Sequence, residues 1–406
     1  SHHPSAIDLG LERVRTVAER LGVLSPSARV ITIAGTNGKG SCVATLEALL
    51  SAEGKRFGAY TSPHFLHYNE RVRLQAEPVS DQQLCAAFAR IDEARGDISL
   101  TYFEFGTLAA MDIFNRELLD YWLLEVGLGG RLDAVNIVDP NVAVITSVAI
   151  DHEAWLGSDR EKIGFEKAGI CRQQATLVCA DAQPPSAIFN KVQQVNCPVV
   201  WWGSDFGIDG ELLFTRSGCT VSKANIQLPL PSVVAALQVC ELEGCLPPEP
   251  ALQQVLSSVQ LTGRMQVLKY AHATLILDVA HNPAAAQLLA QHLAHRKLQP
   301  MPAIVAVMAD KDIEGVFAPL LPWVSHWHCV RLADNPRAAE PQVLARALEK
   351  MGVASSCICC DDSVSGALAQ LNVPPAGLQE EPQNVLVFGS FFTVAQALSY
   401  RDVGGQ

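Results

Sequence analysis

The stretch Val30-Ile31-Thr32-Ile33-Ala34-Gly35-Thr36-Asn37-Gly38-Lys39-Gly40-Ser41 decides how this chain folds. Its first five residues predict a strand buried on both faces, small residues then make a turn, and Cys42 to Ala52 predicts a helix that ends at Gly54. A loop of small residues between buried strand and helix lets successive backbone N–H groups converge on one anion. The helix N-terminus adds partial positive charge there. Lys39 is placed to neutralise phosphate oxygens, and Ser41 to ligate the magnesium that bridges them. The common nucleotide signature is G-x-x-x-x-G-K-[ST], whereas here Gly35 lies four residues before Lys39 and Gly40 separates that lysine from Ser41. This spacing favours a separate subclass of phosphate loop over a general kinase or GTPase. The plainer alternative is a turn that merely joins strand to helix; three glycines, a lysine and a hydroxyl in this setting weigh against it.

Outward from the loop the alternation continues. Leu11 to Leu21 carries apolar residues at helical spacing and is followed by Gly22, a residue suited to a left-handed cap. Buried strands are expected at Phe57 to Tyr60, Tyr121 to Val126, Val142 to Val148, Thr176 to Cys179 and Val199 to Trp202, with helices at Gln82 to Arg95 and Phe105 to Arg116. Ser158-Asp159-Arg160-Glu161 fits a capping box for a short helix through Lys167 that stops at Gly169. After Thr262-Gly263-Arg264 the pattern restarts, with strands at Thr274 to Val279, Ala303 to Met308, His326 to Val330 and Val385 to Phe388 and helices beginning near Pro283, Pro341 and Ser363. The expected class is α/β: a phosphate-loop domain with a mostly parallel sheet over 1–264, then a smaller Rossmann-like domain over 265–406.

Composition agrees with a compact protein of two cores: 406 residues, 49% hydrophobic and 18% charged. A net charge of −12 and the absence of any Lys/Arg block argue against nucleic acid as a partner. The apolar stretches are too short to cross a bilayer, so no membrane partner and a cytoplasmic location are expected. The twelve cysteines are scattered, and Cys357, Cys359 and Cys360 lack the second ligand pair of a zinc site; reduced thiols are the expectation.

Other residues fall where ligands bind in open α/β sheets, at the carboxyl ends of strands. Glu125 ends an apolar run before Gly127-Leu128-Gly129-Gly130-Arg131, either as a ligand-facing carboxylate or as a cap on the next turn. Asp151-His152 follows the strand that starts at Val142, where His152 is a metal or phosphate ligand or else a hydrogen-bonding scaffold residue. Lys167, in Gly164-Phe165-Glu166-Lys167-Ala168-Gly169, reads most simply as a solvated helix lysine. In a dry site it would lose its proton and react with carbon dioxide to form a carbamate. In the second domain, Asp278-Val279-Ala280-His281-Asn282-Pro283 ends a strand and opens a helix, with Asn282 as a cap. Arg264 is a candidate for contacting a nucleotide phosphate. Lys311 and Arg337 are candidates, from position alone, for holding a dicarboxylate.

In their order along the chain, Gly35 to Ser41, Thr61-Ser62-Pro63-His64, Glu70-Arg71-Val72, Glu125 to Asp133, Asp151-His152, Glu166 to Gly169 and Asp278 to Pro283 resemble the dihydrofolate synthase/folylpolyglutamate synthase family, whose architecture is similar to that of the Mur ligases. The resemblance runs from about Ile7 to about Thr393, with Gly389-Ser390-Phe391 similar to the family's last strand-loop signature. It implies an ATP-dependent acid–amino-acid ligase that joins L-glutamate to dihydropteroate and to reduced folates through an acyl phosphate. It further implies ATP contacts from Asn37, Gly38, Lys39, Gly40, Ser41, Arg264 and Asp278, two magnesium ions on Ser41, Ser62, Glu125 and His152, and a carbamylated Lys167. Lys39, His152 and Lys167 are the residues expected to serve catalysis. A monovalent cation is a further ligand that it leaves open, and a monomer is expected.

Two segments are similar to the bifunctional bacterial branch: Ile7-Asp8-Leu9 through Val14, and Leu100-Thr101-Tyr102-Phe103-Glu104-Phe105. With Leu132-Asp133-Ala134 they imply a dihydropteroate pocket in which Phe103 offers an aromatic face. The chain departs from the family at Leu228-Pro229-Leu230-Pro231-Ser232, which runs straight into Val233-Val234-Ala235 without the longer loop whose asparagine contacts adenine. The competing readings are a Mur-type ligase acting on a uridine-linked muramyl substrate, for whose extra amino-terminal domain Ser1 to Arg29 leaves no room, and a phosphate-loop NTPase or kinase.

Overall fold

A computed structural model describes residues 10–157, 159–270, 273–333, 335–371 and 383–404. The chain divides into two compact units, Ser1–Val259 and Gln260–Gln406. The first is built on β1 (Arg29–Ala34), β2 (Phe57–Tyr60), β3 (Val72–Leu74), β4 (Glu77–Pro78), β5 (Tyr121–Glu125), β6 (Val142–Ile145), β7 (Thr176–Cys179) and β8 (Val199–Trp201), in the sheet order β4-β3-β2-β5-β1-β6-β7-β8. From β2 to β8 across this sheet every pairing is parallel, and the β3–β4 hairpin adds two antiparallel strands at one edge. Helices cover both faces, so β5 and β6 are buried at every residue, and their sequences show unbroken apolar runs rather than alternation.

The helices start and stop where the chain supplies caps. Ser80 accepts from the Gln83 N–H at 3.2 Å to open Asp81–Arg95, and Thr101 does the same for Glu104 at the head of Tyr102–Arg116. Gly22, at φ 70°, closes Glu12–Leu21. Ser158 lies outside the described residues, and the cap of Arg160–Ala168 is Asp159, whose Oδ1 accepts from the Lys162 N–H at 2.8 Å. The helix expected from Cys42 begins instead at Lys39, because Gly38 supplies the N-cap.

Several elements are absent from the sequence expectations. They include β3 and β4, a small antiparallel sheet of β9 (Gly207–Asp209), β10 (Leu212–Phe214) and β11 (Thr220–Ser222), and the helices Ser186–Val195 and Ala251–Ser258, whose buried pairs Ile188 with Val192 and Leu252 with Leu256 do recur at helical spacing. Three-residue strands are too short for alternation to show.

The second unit adds β12 (Gln266–Tyr270), β13 (Ala273–Leu277), β14 (Met301–Val305), β15 (Val324–Val330), β16 (Ile358–Asp361) and β17 (Gln383–Phe388), ordered β12-β13-β17-β14-β15-β16. All its pairings are parallel except β12 on β13. The cysteine-rich segment is thus a strand: Cys359 and Cys360 lie in β16, opposite His328 and Cys329 of β15.

One close approach in the first unit is testable. A Cβ on Gly58 in β2 would stand 2.5 Å from the ring of Phe114, which is fully buried. Gly58→Ala is expected to lower stability by about 1–3 kcal/mol in denaturant unfolding, and a second change, Phe114→Leu, to recover part of that loss. An unaltered midpoint in the single variant would show that the ring has room to move.

Candidate functional site

Strand order places the candidate residues of the first unit at one edge. β1 lies in the middle of the sheet with β5 and β6 on either side; Ile33 is opposite Glu125, and Ala34 is opposite Ile145. The loop after β1, the carboxylate ending β5 and the Thr146-Ser147 pair after β6 therefore emerge together, at the point where the chain's path across the sheet reverses.

The loop is fixed by its neighbours before any ligand arrives. The Thr36 N–H donates to the Ser147 carbonyl at 2.8 Å and the Asn37 N–H to Ser147 Oγ at 3.0 Å. Thr146 Oγ1 and Ser147 Oγ donate to the Asn37 carbonyl at 2.7 and 3.0 Å. Gly35 is required by proximity, since a Cβ there would lie 1.8 Å from Thr146 Oγ1. Gly38, at φ 88°, would meet Ser232 Oγ at 2.3 Å. Lys39 Nζ donates to the carbonyls of Gly35 and Thr36 at 2.9 and 3.4 Å, so the cation is held over the loop. With the helix starting at Lys39, the amides of Lys39, Gly40 and Ser41 occupy the first turn, where no intrahelical carbonyl is available to them.

Ser41 is fully buried, and its Oγ has no hydrogen-bond partner. An orphaned buried hydroxyl costs free energy unless a ligand completes it. Glu125 is 4% exposed, and its Oε2 accepts from the Ser62 N–H at 3.2 Å, which brings Ser62 to the same edge. Asp151 is buried and accepts the His152 N–H on Oδ1 at 2.8 Å. His152 itself is exposed, with a left-handed backbone at φ 54°, and its carbonyl accepts from Trp155 and Leu156. Among the described residues no group of three His, Cys, Asp or Glu side chains is gathered closely enough to hold a metal unaided. A buried hydroxyl and a carboxylate at one strand edge suit a hard cation such as magnesium, whose shell substrate phosphates and water usually complete.

Lys167 does not lie on a solvated face. It is 3% exposed, packed where Gly130 closely approaches its carbonyl, and burial, followed by the charge of Lys39, pushes its pKa down to about 7. A neutral amine is therefore present near neutrality. Asp133 is shifted the other way, up to about 6, by burial, against the opposing effect of backbone donors that include Leu128 at 2.8 Å and Val135 at 3.1 Å. Arg131 pairs with Glu166 at 2.8 Å and lies 5.5 Å from the Phe165 ring centroid, which holds the glycine turn onto the helix carrying Lys167.

Of the segments expected to form a pterin pocket, Ile7, Asp8 and Leu9 lie outside the described residues. Thr101 and Glu104 are buried and bonded in a reciprocal cap, with Arg13 on Glu104 at 2.9 Å. Phe103 lies 5.8 Å from Tyr60, centroid to centroid, and covers Gly127, where a Cβ would come within 2.5 Å of its ring. Tyr102 stands edge-on to Tyr68. Asp133 and Ala134 are buried at the following turn and Leu132 is partly exposed.

In the second unit, Asp278 is buried after β13 and accepts from the N–H groups of Met265 and Ala280 at 3.0 and 2.9 Å. Burial raises its pKa, with Arg264 acting in the opposite direction. Arg264 donates to the Gly263 carbonyl at 3.2 Å and lies 5.5 Å from the Phe391 ring centroid. His281 Nδ1 is 2.9 Å from the Val279 carbonyl, and Asn282 caps Pro283–His295 through the Ala285 N–H at 2.9 Å. Lys311 and Arg337 both lie near the end of β14: the Lys311 N–H donates to the Met308 carbonyl at 3.1 Å, and exposed Arg337 is 3.5 Å from Asp310.

Sequence reasoning passed over Thr146 and Ser147, which latch the loop: the expected strand Val142 to Val148 enclosed both, whereas the strand ends at Ile145. It also passed over the role of Ser232 as the neighbour of Gly38 at the head of Leu230–Leu242. No local pattern reports that approach.

The glutamate ligase domain model of the Mur ligases matches residues 263–391. The dihydrofolate synthase/folylpolyglutamate synthase of Escherichia coli K12 is 42% identical over 407 residues, spanning 98% of this chain and 93% of that protein. A solved structure of E. coli FolC in complex with DHPP and ADP superposes with a TM-score of 0.88 at 40% identity, covering 99% of this chain and 95% of that one. A bifunctional folylpolyglutamate synthase/dihydrofolate synthase with Mn, AMPPNP and L-glutamate bound gives 0.87 at 40% identity, covering 98% and 95%. With the phosphate loop, the orphaned serine and the buried lysine set on a sheet that these relatives share, the chain belongs to the dihydrofolate synthase/folylpolyglutamate synthase family of Mur-type ligases.

Proposed function

We propose that the carboxyl edge of the first unit's sheet activates a pteroate or folate carboxylate with ATP, and that L-glutamate then takes the acyl group. As a member of its family the chain is an acid–amino-acid ligase. The observation that carries the residue assignment is the buried Ser41 hydroxyl without a partner, in the first helical turn after a loop over which the Lys39 ammonium is held.

A carboxylate resists attack by an amine because of its charge and resonance. One carboxylate oxygen attacks the γ-phosphorus of ATP, the bond to the bridging oxygen breaks, and ADP leaves with an acyl phosphate formed. The neutral amine of glutamate attacks the acyl carbon, loses a proton, and phosphate departs to leave the amide. Lys39 moves from the loop carbonyls to the β and γ oxygens, and the amides of Lys39 to Ser41, with the neighbouring Asn37 and Gly38, hold them in line. Ser41, Ser62, Glu125 and His152 would hold two divalent ions, which when bound screen the charge that spreads over the transferring phosphoryl group. Neutral Lys167 adds to carbon dioxide and releases a proton, giving a carbamate that sets a fixed anion beside these ligands. Phe103, with Tyr102, Leu132, Asp133 and Ala134, forms the pterin side, and Arg264 and Asp278 contact the nucleotide. Lys311 and Arg337 are assigned to the two carboxylates of glutamate.

Incubation with ATP, magnesium and glutamate is expected to add one glutamyl mass to dihydropteroate and to tetrahydrofolate, with one phosphate released per bond. A mass gain on a muramyl nucleotide alone would overturn this reading. Lys167→Ala is expected to abolish turnover and to remove a carbamate carbon signal seen by NMR after exposure to 13C-bicarbonate; turnover near that of the parent would return Lys167 to a structural role.

The same lysine makes a prediction about stability. Without carbon dioxide its folded pKa is about 7, against an ordinary 10.5, so between these values the unfolded chain binds more protons than the folded one. Stability contributed by Lys167 is complete above 10.5 and is lost as pH falls toward 7. In degassed buffer, Lys167→Met is expected to flatten the rise of the unfolding midpoint across this window, and parallel pH curves for parent and variant would refute the shift.

A further inference from the structure

Arg71 ends the 3-10 turn Tyr68–Arg71 after β2 and is 9% exposed, yet no carboxylate pairs with it among the described residues. Its Nε–H donates to His64 Nδ1 at 2.8 Å. A guanidinium has five N–H donors, and here the four on the terminal nitrogens meet no acceptor among the described residues. Its carbon lies 5.5 Å from the ring centroids of both Tyr68 and Tyr102. The adjacent Glu70 does not neutralise it, because its carboxylate accepts the N–H groups of Phe65, Leu66 and His67 at 2.6, 2.8 and 2.7 Å. Accepting on Nδ1, His64 carries no proton there, so it orients the guanidinium without cancelling its charge. An arginine this deeply buried, clamped between aromatic rings and a neutral base and aimed with free donors, is built to receive an anion.

We propose that Arg71 binds the α-carboxylate of the glutamyl tail on folate substrates, and so distinguishes the two reactions of this site; the inference rests on the pterin-ligase reading above. Dihydropteroate carries one carboxylate, the one that must stay free to attack phosphorus. A folate extended through its γ-carboxylate carries a second that does not react, and a permanent cation belongs on that one. Position agrees. Tyr102, which stacks on Arg71, immediately precedes Phe103 on the pterin side. The Arg71 carbonyl accepts from the Thr61 N–H at 2.9 Å, next to Ser62 on Glu125. The cation is therefore tied at one side to the pterin segment and at the other to the phosphoryl-transfer edge. Arg71 is a specificity residue, and His64 positions it.

The test compares kcat/KM for dihydropteroate, tetrahydrofolate and tetrahydropteroyl-4-aminobutyrate, which keeps the reacting carboxylate and lacks the α-carboxylate. The parent protein is expected to prefer tetrahydrofolate to the aminobutyrate analogue by about 10- to 100-fold. Arg71→Gln is expected to erase that preference and to lower the ratio of tetrahydrofolate to dihydropteroate turnover by the same factor, mainly through KM. Arg71→Lys, which keeps the charge but not the fork, is expected to fall between them. Equal losses on all three substrates in both variants, or a parent protein indifferent to the α-carboxylate, would overturn the proposal. Failure of the parent protein to glutamylate either pterin would instead overturn the functional reading on which it depends.

Discussion

Everything at the first unit's edge depends on how closely the loop after β1 approaches the residues that follow β6. Gly35 lies so near Thr146 that no side chain fits, and the Asn37 carbonyl is held by two hydroxyls, from Thr146 and Ser147. These bonds, with those from the Thr36 and Asn37 N–H groups to Ser147, fix the loop against the strand end, which leaves the amides of the first helical turn for a ligand. The strand order makes the contact available, because β1 has β6 as its direct neighbour. Pinned in this way, the loop is pre-organised for an anion, and a ligand need not supply the free energy to shape it.

Burial then sets the chemistry of the groups around it. Lys167 and Asp133 are both withdrawn from water, and both move toward their neutral forms, in opposite directions on the pH scale. Ser41 is withdrawn as well, but it cannot respond by changing charge and is left with an unmet hydrogen bond. A site with a near-neutral amine, a poised carboxyl and an orphaned hydroxyl is expensive to keep closed and empty. On the function proposed above, each is completed by something small: carbon dioxide, a divalent cation, a phosphate.

Much of this was legible in the chain. The buried strands around the phosphate loop and their separating helices follow from unbroken apolar runs and cap residues, and the family from the order of its motifs. Register was not legible: which strands flank β1 is a non-local fact, and Thr146 and Ser147 gain their role only from it. Nor was burial. The sequence around Lys167 suits an exposed helix, and only packing of the glycine turn at Gly130 and Arg131 against that helix closes the face. The departure at Ser232 was visible as a shortened segment, but not that it brings a hydroxyl against Gly38. Short strands such as β9 to β11 give too few residues for any period to register.

The order of strands in the second unit has a consequence for how that unit comes into being. β17, the last of its strands to be synthesised, lies between β13 and β14 and bonds to both. Until it emerges, its two neighbours cannot meet across the gap it will fill, and each presents an open row of backbone donors and acceptors. A ribosome-bound chain therefore carries an unfinished sheet through the whole translation of this unit, shielded only by whatever helices have already docked. Completion is a late insertion rather than a growth from one edge, which leaves this unit exposed to wrong partners during synthesis.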